Sequence, residues 1–185
     1  MITVQSTALP DVKLVQVRRF EDPRGVFSEV YHHRDFAAAG VDIMFVQDNI
    51  SLSRQAGTVR GLHFQTAPFA QAKLVRVVRG RILDVAVDIR RSSPTYGRHV
   101  AVELSANDGR QLYIPTGFAH GFCTLEPDTE VSYKVSAHYE PLHDKGLAWD
   151  DPRLDIAWPV APEHAILSDK DRQQPKLANL PAYFA

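Results

Sequence analysis

The sequence predicts an all-β, antiparallel jelly-roll barrel, and three observations carry that expectation. Turn signals recur at short, even intervals: Asp22-Pro-Arg-Gly25, Gly57, Arg79-Gly80, Ser92-Ser-Pro94, Asn107-Asp-Gly109, Pro115-Thr-Gly117 and Pro127-Asp128. Between them lie short runs that alternate or are rich in β-branched residues, at 74–78, 82–89, 100–104, 112–114 and 131–135. Only one early stretch, residues 34–39 stopped by Gly40, reads as a helix. Many short strands of even spacing fit a closed or double-sheet β architecture.

Taken in order, residues 1–44 form an N-terminal segment with that one helix, and residues 45–140 hold the barrel core. After Pro141 the texture changes to segments rich in Pro and Trp (Trp149, Pro152, Trp158, Pro159, Pro162). This stretch lacks a periodic core of its own, so 141–185 is expected to be a tail laid over the barrel, and 1–185 a single domain. At 185 residues the chain can bury roughly 70% of its unfolded surface and needs no staples to fold. A single cysteine, Cys123, excludes an internal disulfide framework and a cysteine-based zinc ribbon. With 21 basic against 22 acidic residues, a nucleic-acid grip built on bulk charge is excluded. No basic segment followed by an apolar core opens the chain, and no stretch is apolar enough to span a bilayer as a helix, so a cytoplasmic protein is expected.

One hairpin can be read further. If Arg79-Gly80 is a two-residue turn, Lys73, Val75 and Val77 share a face with Ile82, Asp84, Ala86 and Asp88. An ammonium and a carboxylate then stand within side-chain reach on a partly apolar face. The alternative is a solvent-facing salt bridge with Leu74, Val85 and Val87 in the core, and spacing leaves both open.

Two stretches resemble the paired motifs of the cupin superfamily. The first runs from Gly57 through His63 and Gln65 to Gly80; the second runs from Gly109 through Pro115, Thr116 and Gly117 to His120. Metal-binding cupins would carry a second histidine at position 65 and a glutamate in the 69–70 region, where this chain has Gln65, Phe69 and Ala70. Two of four ligands do not make a tight site for a borderline divalent ion, so no metal is expected. A histidine retained without a metal is suited to general-base work near neutral pH.

The neighbours of His63, Val59-Arg-Gly-Leu-His-Phe-Gln65, are followed by Lys73-Leu-Val-Arg-Val, Asp84-Val-Ala-Val-Asp88 and Ser93-Pro-Thr-Tyr-Gly97. With Phe45-Val-Gln-Asp-Asn49, Ile114-Pro-Thr-Gly-Phe-Ala-His-Gly-Phe122 and Leu167-Ser-Asp-Lys-Asp171, they resemble the dTDP-4-dehydrorhamnose 3,5-epimerase family from about Phe20 to about Lys176. The resemblance implies a cofactor-free cupin epimerase acting on dTDP-4-dehydro-6-deoxy-D-glucose, inverting C3 and C5 beside the 4-keto group. Such a reaction requires a base, an acid on the opposite sugar face, and positive charge near the developing enolate.

By motif position, His63 would be the base and Asp171 would orient its imidazole. Asp169 is an alternative partner, and Ser168 with Asp171 also reads as a helix cap. Lys73 would stabilise the enolate with Asp84 as its counter-ion, and Tyr133 would return a proton to the other face. Among binding residues, Arg60 would hold the diphosphate, although strict alternation sets it on the face opposite His63. Gln47 and Asn49 would hold the nucleotide, His120 the sugar, and Tyr139 the thymine, with Asp144 and Lys170 as further contacts. Phe20, Arg24 and Glu29 resemble a segment that reaches into a neighbouring subunit, which implies a homodimer. The chain departs from the family pattern at Ala72, where glycine is usual, and at Asp144, where glutamate is usual.

Overall fold

Described from residue 2 to residue 185 in a computed structural model, the chain forms thirteen strands and two short α-helices. In order these are β1 (Ile2–Ser6), β2 (Lys13–Val17), β3 (Phe20–Asp22), β4 (Gly25–Phe27), α1 (His33–Ala38), β5 (Gln47–Ser53), β6 (Val59–Gln65) and β7 (Lys73–Arg79). Then follow β8 (Arg81–Asp88), β9 (His99–Ser105), β10 (Arg110–Ile114), β11 (Phe118–Thr124), β12 (Thr129–Val135), β13 (Asp144–Gly146) and α2 (Asp169–Arg172). They build a six-stranded sheet in the order β1-β2-β10-β7-β12-β5 facing a five-stranded sheet in the order β13-β6-β11-β8-β9. Every named strand pair is antiparallel, so the jelly-roll expectation holds.

Two expectations need correction. The barrel is not confined to residues 45–140, because β1 and β2 extend the six-stranded sheet beside β10, and β13 adds an edge to the other sheet. Their short polar-apolar alternation is too brief to stand out from a loop in sequence. The Arg79-Gly80 turn does not close a hairpin either: β7 pairs with β10 and β12, whereas β8 pairs with β9 and β11. The chain changes sheets at Gly80, whose φ of 78° lies in the left-handed region that glycine adopts freely. Lys73, Val75 and Val77 still face inward toward Ile82, Asp84 and Ala86, but across the sandwich rather than along one ladder.

The inner faces of both sheets meet in one apolar cluster, with Val75, Val77, Leu112, Ile114 and Val131 from one sheet against Ile82, Ala86, Leu104, Phe118 and Phe122 from the other. Outside the five-stranded sheet, the C-terminal tail supplies Leu147, Leu154, Leu177 and Leu180 to cover Leu62, Phe64, Val85 and Val87. Outside the other sheet, α1 lays Phe36, followed by Val41, over Val15 and Leu74. Alternation along each strand thus buries both faces, one against the opposite sheet and one beneath a covering segment.

The Ser93-to-Gly97 motif has a structural task. Asp88, fully buried, accepts hydrogen bonds from Ser93 Oγ and Thr95 Oγ1, both at 2.6 Å, and from Arg90 Nη2 at 2.7 Å. Burial pushes its carboxyl up, but the Arg90, Ser93 and Thr95 donors outweigh that and hold it down at about 2. Arg90 in turn lies 4.6 Å over the Phe118 ring, locking this end of the barrel.

The feature that shapes the site is a bulge in β6. His120 pairs with His63 and Phe122 pairs with Arg60, so β6 advances three residues while β11 advances two. The extra residue falls at Gly61, with φ at 128°, and it turns both Arg60 and His63 to the inner face. This removes the conflict that strict alternation raises. A Cβ added at Gly61 would lie 2.5 Å from Gly121 Cα and 2.8 Å from the His120 carbonyl oxygen, both backbone atoms. Gly61→Ala is therefore expected to cost about 3 kcal/mol, lowering the melting temperature by about 10 °C, and to misplace His63. Thermal unfolding by circular dichroism checks it, and an unchanged midpoint would show the bulge is not glycine-dependent.

Candidate active site

Between the sheets, a cavity of about 430 Å³ is walled by His63 and Arg60 of β6, His120 and Phe122 of β11, Lys73, Tyr133, Ser51, and the tail with Asp171. A second lobe of about 320 Å³ shares His63, Lys73 and Tyr133, and its further walls include Gln47, Asn49, Gln65, Gln71, Tyr139 and Asp144. The three residues common to both lobes stand at the junction.

His63 Nε2 donates to Asp171 Oδ1 at 2.5 Å. The carboxylate is acceptor-only, so Nε2 carries the hydrogen, and in the neutral imidazole Nδ1 is the nitrogen with the free lone pair. Asp171 is only 4% exposed; burial pushes its carboxyl up, but His63, Ser168 and the Gly61 N–H together hold it below the usual carboxylate range. Ser168 Oγ also accepts from the Asp171 N–H at 3.2 Å as the N-cap of α2. Capping and pairing with His63 thus coexist. Asp169, the alternative partner, stays exposed while Asp171 makes the bond.

Lys73 is 8% exposed and its ammonium donates to the His63 carbonyl at 3.3 Å. Burial lowers its pKa to about 8; Asp144 and Asp84 oppose the fall and Lys170 adds to it. Asp84 sits differently from expectation. Its Oδ1 accepts from His120 Nε2 at 2.7 Å and its Oδ2 has no partner, so it holds His120 and reaches Lys73 only as a charge through space. The sheet switch at Gly80 is the reason, because it seats Asp84 on β8 beside β11, where Phe122 is its ladder partner and His120 lies two residues along. His120 is pushed below the ordinary imidazole value by burial, against the Asp84 carboxylate.

Tyr133 on β12 faces inward with Val131, and burial raises its pKa, which keeps the phenol protonated. Arg60 is anchored by Nε to Ser53 Oγ and by Nη2 to the Leu52 carbonyl, each at 3.1 Å. Gln47 Nε2 donates to Asn49 Oδ1 at 2.9 Å, and Gln47 Oε1 accepts the Tyr139 N–H at 3.0 Å. Tyr139 donates its hydroxyl to Asp144 Oδ2 at 3.1 Å, and Lys170 donates to the same carboxylate. Phe20, Arg24 and Glu29 stand apart: none lines either lobe, Phe20 is 45% exposed, and Arg24 pairs with Asp22 on its own hairpin.

The cupin metal frame does not fit these donors. His63 and His120 each commit Nε2 to a carboxylate. Gln65, at the second ligand position, donates to the Phe69 carbonyl at 2.7 Å and accepts from the Glu140 N–H at 2.7 Å. Among the described residues, the trio with ligand atoms in mutual reach is Glu29, His32 and Asp35, which includes neither cavity histidine.

Sequence reasoning missed Ser51, Thr58, Ile166 and Leu167, which also line the first lobe. Ser51 was legible, since it continues the alternation of Gln47 and Asn49 along β5. Ile166 was not, because a parallel bridge to Thr58 brings it there from the tail.

Comparison with known proteins identifies the family. The family model for dTDP-4-dehydrorhamnose 3,5-epimerase matches residues 6–179. The enzyme of that name from Sinorhizobium fredii is 55% identical over 180 residues, covering 97% of this chain and 92% of its own. A crystal structure of the Bacillus anthracis enzyme with TDP and pyrophosphate bound is 50% identical, with a TM-score of 0.92 over 95% of this chain and 99% of that one. The Legionella pneumophila enzyme in complex with dTDP-4-keto-L-rhamnose is 39% identical, with a TM-score of 0.93 over 98% of this chain and 96% of that one. The chain belongs to the dTDP-4-dehydrorhamnose 3,5-epimerase family and is an isomerase.

Proposed function

We propose that this chain converts dTDP-4-dehydro-6-deoxy-D-glucose to dTDP-4-dehydro-L-rhamnose by removing and returning a proton at C3 and at C5. The observation that carries the reading is a His63–Asp171 pair and a Tyr133 phenol on opposite sheets, with the Lys73 ammonium on the same cavity. His63 Nδ1 takes the proton α to the ketone, and Asp171 stabilises the imidazolium that forms. Charge passes to the C4 oxygen, where Lys73 offsets it in a site largely shielded from water. Tyr133 delivers a proton from the far face, so the carbon inverts. No metal or cofactor takes part in this scheme, and the cytoplasm is the proposed compartment.

The two proton-transfer residues separate in an isotope experiment. In deuterium oxide, the wild type is expected to label C3 and C5 of the product. His63→Ala removes the base and with it all exchange, at a cost of at least about 10³-fold in rate. Tyr133→Phe leaves the base in place, so label enters with the original configuration retained and inversion falls about 10²-fold or more. NMR of the sugar reads both label and configuration; inversion persisting in Tyr133→Phe would remove Tyr133 from the role.

Lys73 sets stability against activity. Its folded pKa of about 8 lies below the unfolded value of about 10.4, so the buried charge costs about 3 kcal/mol below pH 8. That penalty fades as pH rises from about 8 toward 10.4, because the folded lysine is then already neutral. Lys73→Met is expected to unfold at a higher temperature than wild type at pH 7 and to have lost turnover. Wild-type kcat should fall as pH rises through about 8, where the ammonium is lost. A melting curve and a pH–rate profile check the two halves.

A second copy of the chain is the proposed partner. Phe20, Val26 and Phe27 are exposed on the β3–β4 hairpin, and Ile50 at 67% and Leu52 at 36% are exposed on the sheet edge β5. Apolar groups on an open edge call for a cover. If Arg24 acts in the neighbour's cavity, Arg24→Ala and His63→Ala subunits, each inactive alone, should regain about a quarter of wild-type activity when mixed as dimers. Sedimentation and mixed-subunit assays check this, and a monomeric active enzyme would exclude it.

A further inference from the structure

The connection from β12 to β13, residues 136–143, carries Tyr139 into the wall of the second lobe. A connection of this kind keeps its conformational freedom unless its backbone groups are tied down. Here three glutamines tie them. Gln71 Nε2 donates to the Ala137 carbonyl at 2.8 Å and Gln65 Nε2 to the His138 carbonyl at 3.1 Å. The Tyr139 N–H donates to Gln47 Oε1 at 3.0 Å and the Glu140 N–H to Gln65 Oε1 at 2.7 Å. Four consecutive residues are thus held through their main chain by side chains from distant parts of the sequence.

Gln65 is the centre of this arrangement. It is 3% exposed at the end of β6, and its amide grips the residues immediately before and after Tyr139. Its Nε2 also donates to the Phe69 carbonyl at 2.7 Å, which ties in the connection between β6 and β7. Both amide hydrogens are therefore spent inside the protein, and Gln65 has none to give a ligand although it lies in the wall of the lobe.

Register extends the grip to the side chain. Gln65 pairs with Asp144 on the β6–β13 ladder, and Asp144 Oδ2 accepts the Tyr139 hydroxyl at 3.1 Å. Tyr139 is thus fixed at its backbone and at its hydroxyl, while the residue stays 55% exposed. An aromatic ring held at both ends and still accessible is prepared to stack on a planar ligand. Holding it in advance removes the cost of ordering it when the ligand arrives.

We propose that Gln65 is a positioning residue: by holding the backbone on both sides of Tyr139, it presets that ring to stack on the base of the nucleotide sugar. The proposal rests on the nucleotide-sugar reading given above, with Tyr139 as the thymine contact. Gln65 sets affinity through Tyr139 and leaves proton transfer to His63 and Tyr133. Position 65, a ligand position in metal-binding cupins, serves loop placement in this chain.

Binding of dTDP and of inorganic pyrophosphate is measured by calorimetry for wild type, Gln65→Met, Tyr139→Ala and the double variant, with KM and kcat for the keto sugar. Gln65→Met is expected to weaken dTDP about ten-fold and raise KM by a similar factor, with kcat within about two-fold and pyrophosphate affinity unchanged. In the Tyr139→Ala background the same substitution should cost less than about two-fold, because no ring remains to be placed. Gln65→Glu keeps the acceptor for the Glu140 N–H and loses both donors, so its dTDP affinity should fall between those of wild type and Gln65→Met. Hydrogen exchange followed by NMR needs no variant: in ligand-free wild type the Glu140 amide should exchange at least about 100-fold more slowly than an open-loop amide. Wild-type dTDP affinity in Gln65→Met or Gln65→Glu, an equal loss in the Tyr139→Ala background, an equal loss on pyrophosphate, a fall in kcat at constant KM, or an unprotected Glu140 amide would each overturn the assignment and leave the nucleotide-sugar reading standing. A wild type that binds no dTDP would overturn that reading itself and this proposal with it.

Discussion

The hydrogen bond between His63 and Asp171 joins two parts of the chain 108 residues apart, and much of the architecture exists to make it. Asp171 sits on a four-residue helix that has no stability of its own. It is held by what precedes it: the Val59 N–H bonds the Ile166 carbonyl and the Ile166 N–H bonds the Gly57 carbonyl, pinning the tail to the start of β6. Ser168 then caps the turn, and the Gly61 N–H approaches the carboxylate itself. The glycine that makes the bulge therefore serves twice, first by rotating His63 inward and then by bringing a backbone donor to its partner.

Around that pair the barrel tolerates an uncommon density of buried charge. Lys73, Asp84 and His120 are all under 9% exposed, between the apolar inner faces of the sheets and the polar wall of the cavity. A fold selected for stability alone would replace them, since desolvation exceeds what imperfect pairing returns. The lysine is the clearest case: its nearest charges, Asp144 and Asp84, do not restore its pKa. An ammonium kept in this condition interacts strongly with any negative charge that develops nearby, because little water screens it. The orphaned Asp84 Oδ2 belongs to the same compromise, with one oxygen fixing His120 and the other contributing field only.

Much of this was legible in the sequence because local signals and site residues coincide. The β12 alternation of Val131, Tyr133 and Val135 faces Tyr133 inward, and alternation groups Lys73, Val75 and Val77 on one face, although it leaves open which face is buried. What failed was connectivity. Arg79-Gly80 has the composition of a hairpin turn, and nothing local distinguishes a strand that reverses beside itself from one that crosses to the facing sheet. That choice is made by β10 and β12 competing for the edges of β7, which is a non-local matter. Arg60 was unresolved for a similar reason, since a bulge is defined by the partner strand and only the glycine at 61 hinted at it.

The sandwich also bears on the opposed proton transfers proposed for this cavity. His63 and His120 come from the five-stranded sheet, whereas Tyr133, Lys73, Asn49 and Ser51 come from the six-stranded sheet. Packed sheets stand about 10 Å apart, and the proposed mechanism sets the sugar ring between them with one sheet on each face. In the proposed reaction, His63 as base and Tyr133 as acid address opposite faces of the ring because they belong to opposite layers. A site built on one sheet would present both groups to the same face and would return each proton to the side it left. On the proposed mechanism, inversion follows from the layer arrangement, and the side chains supply the proton affinities.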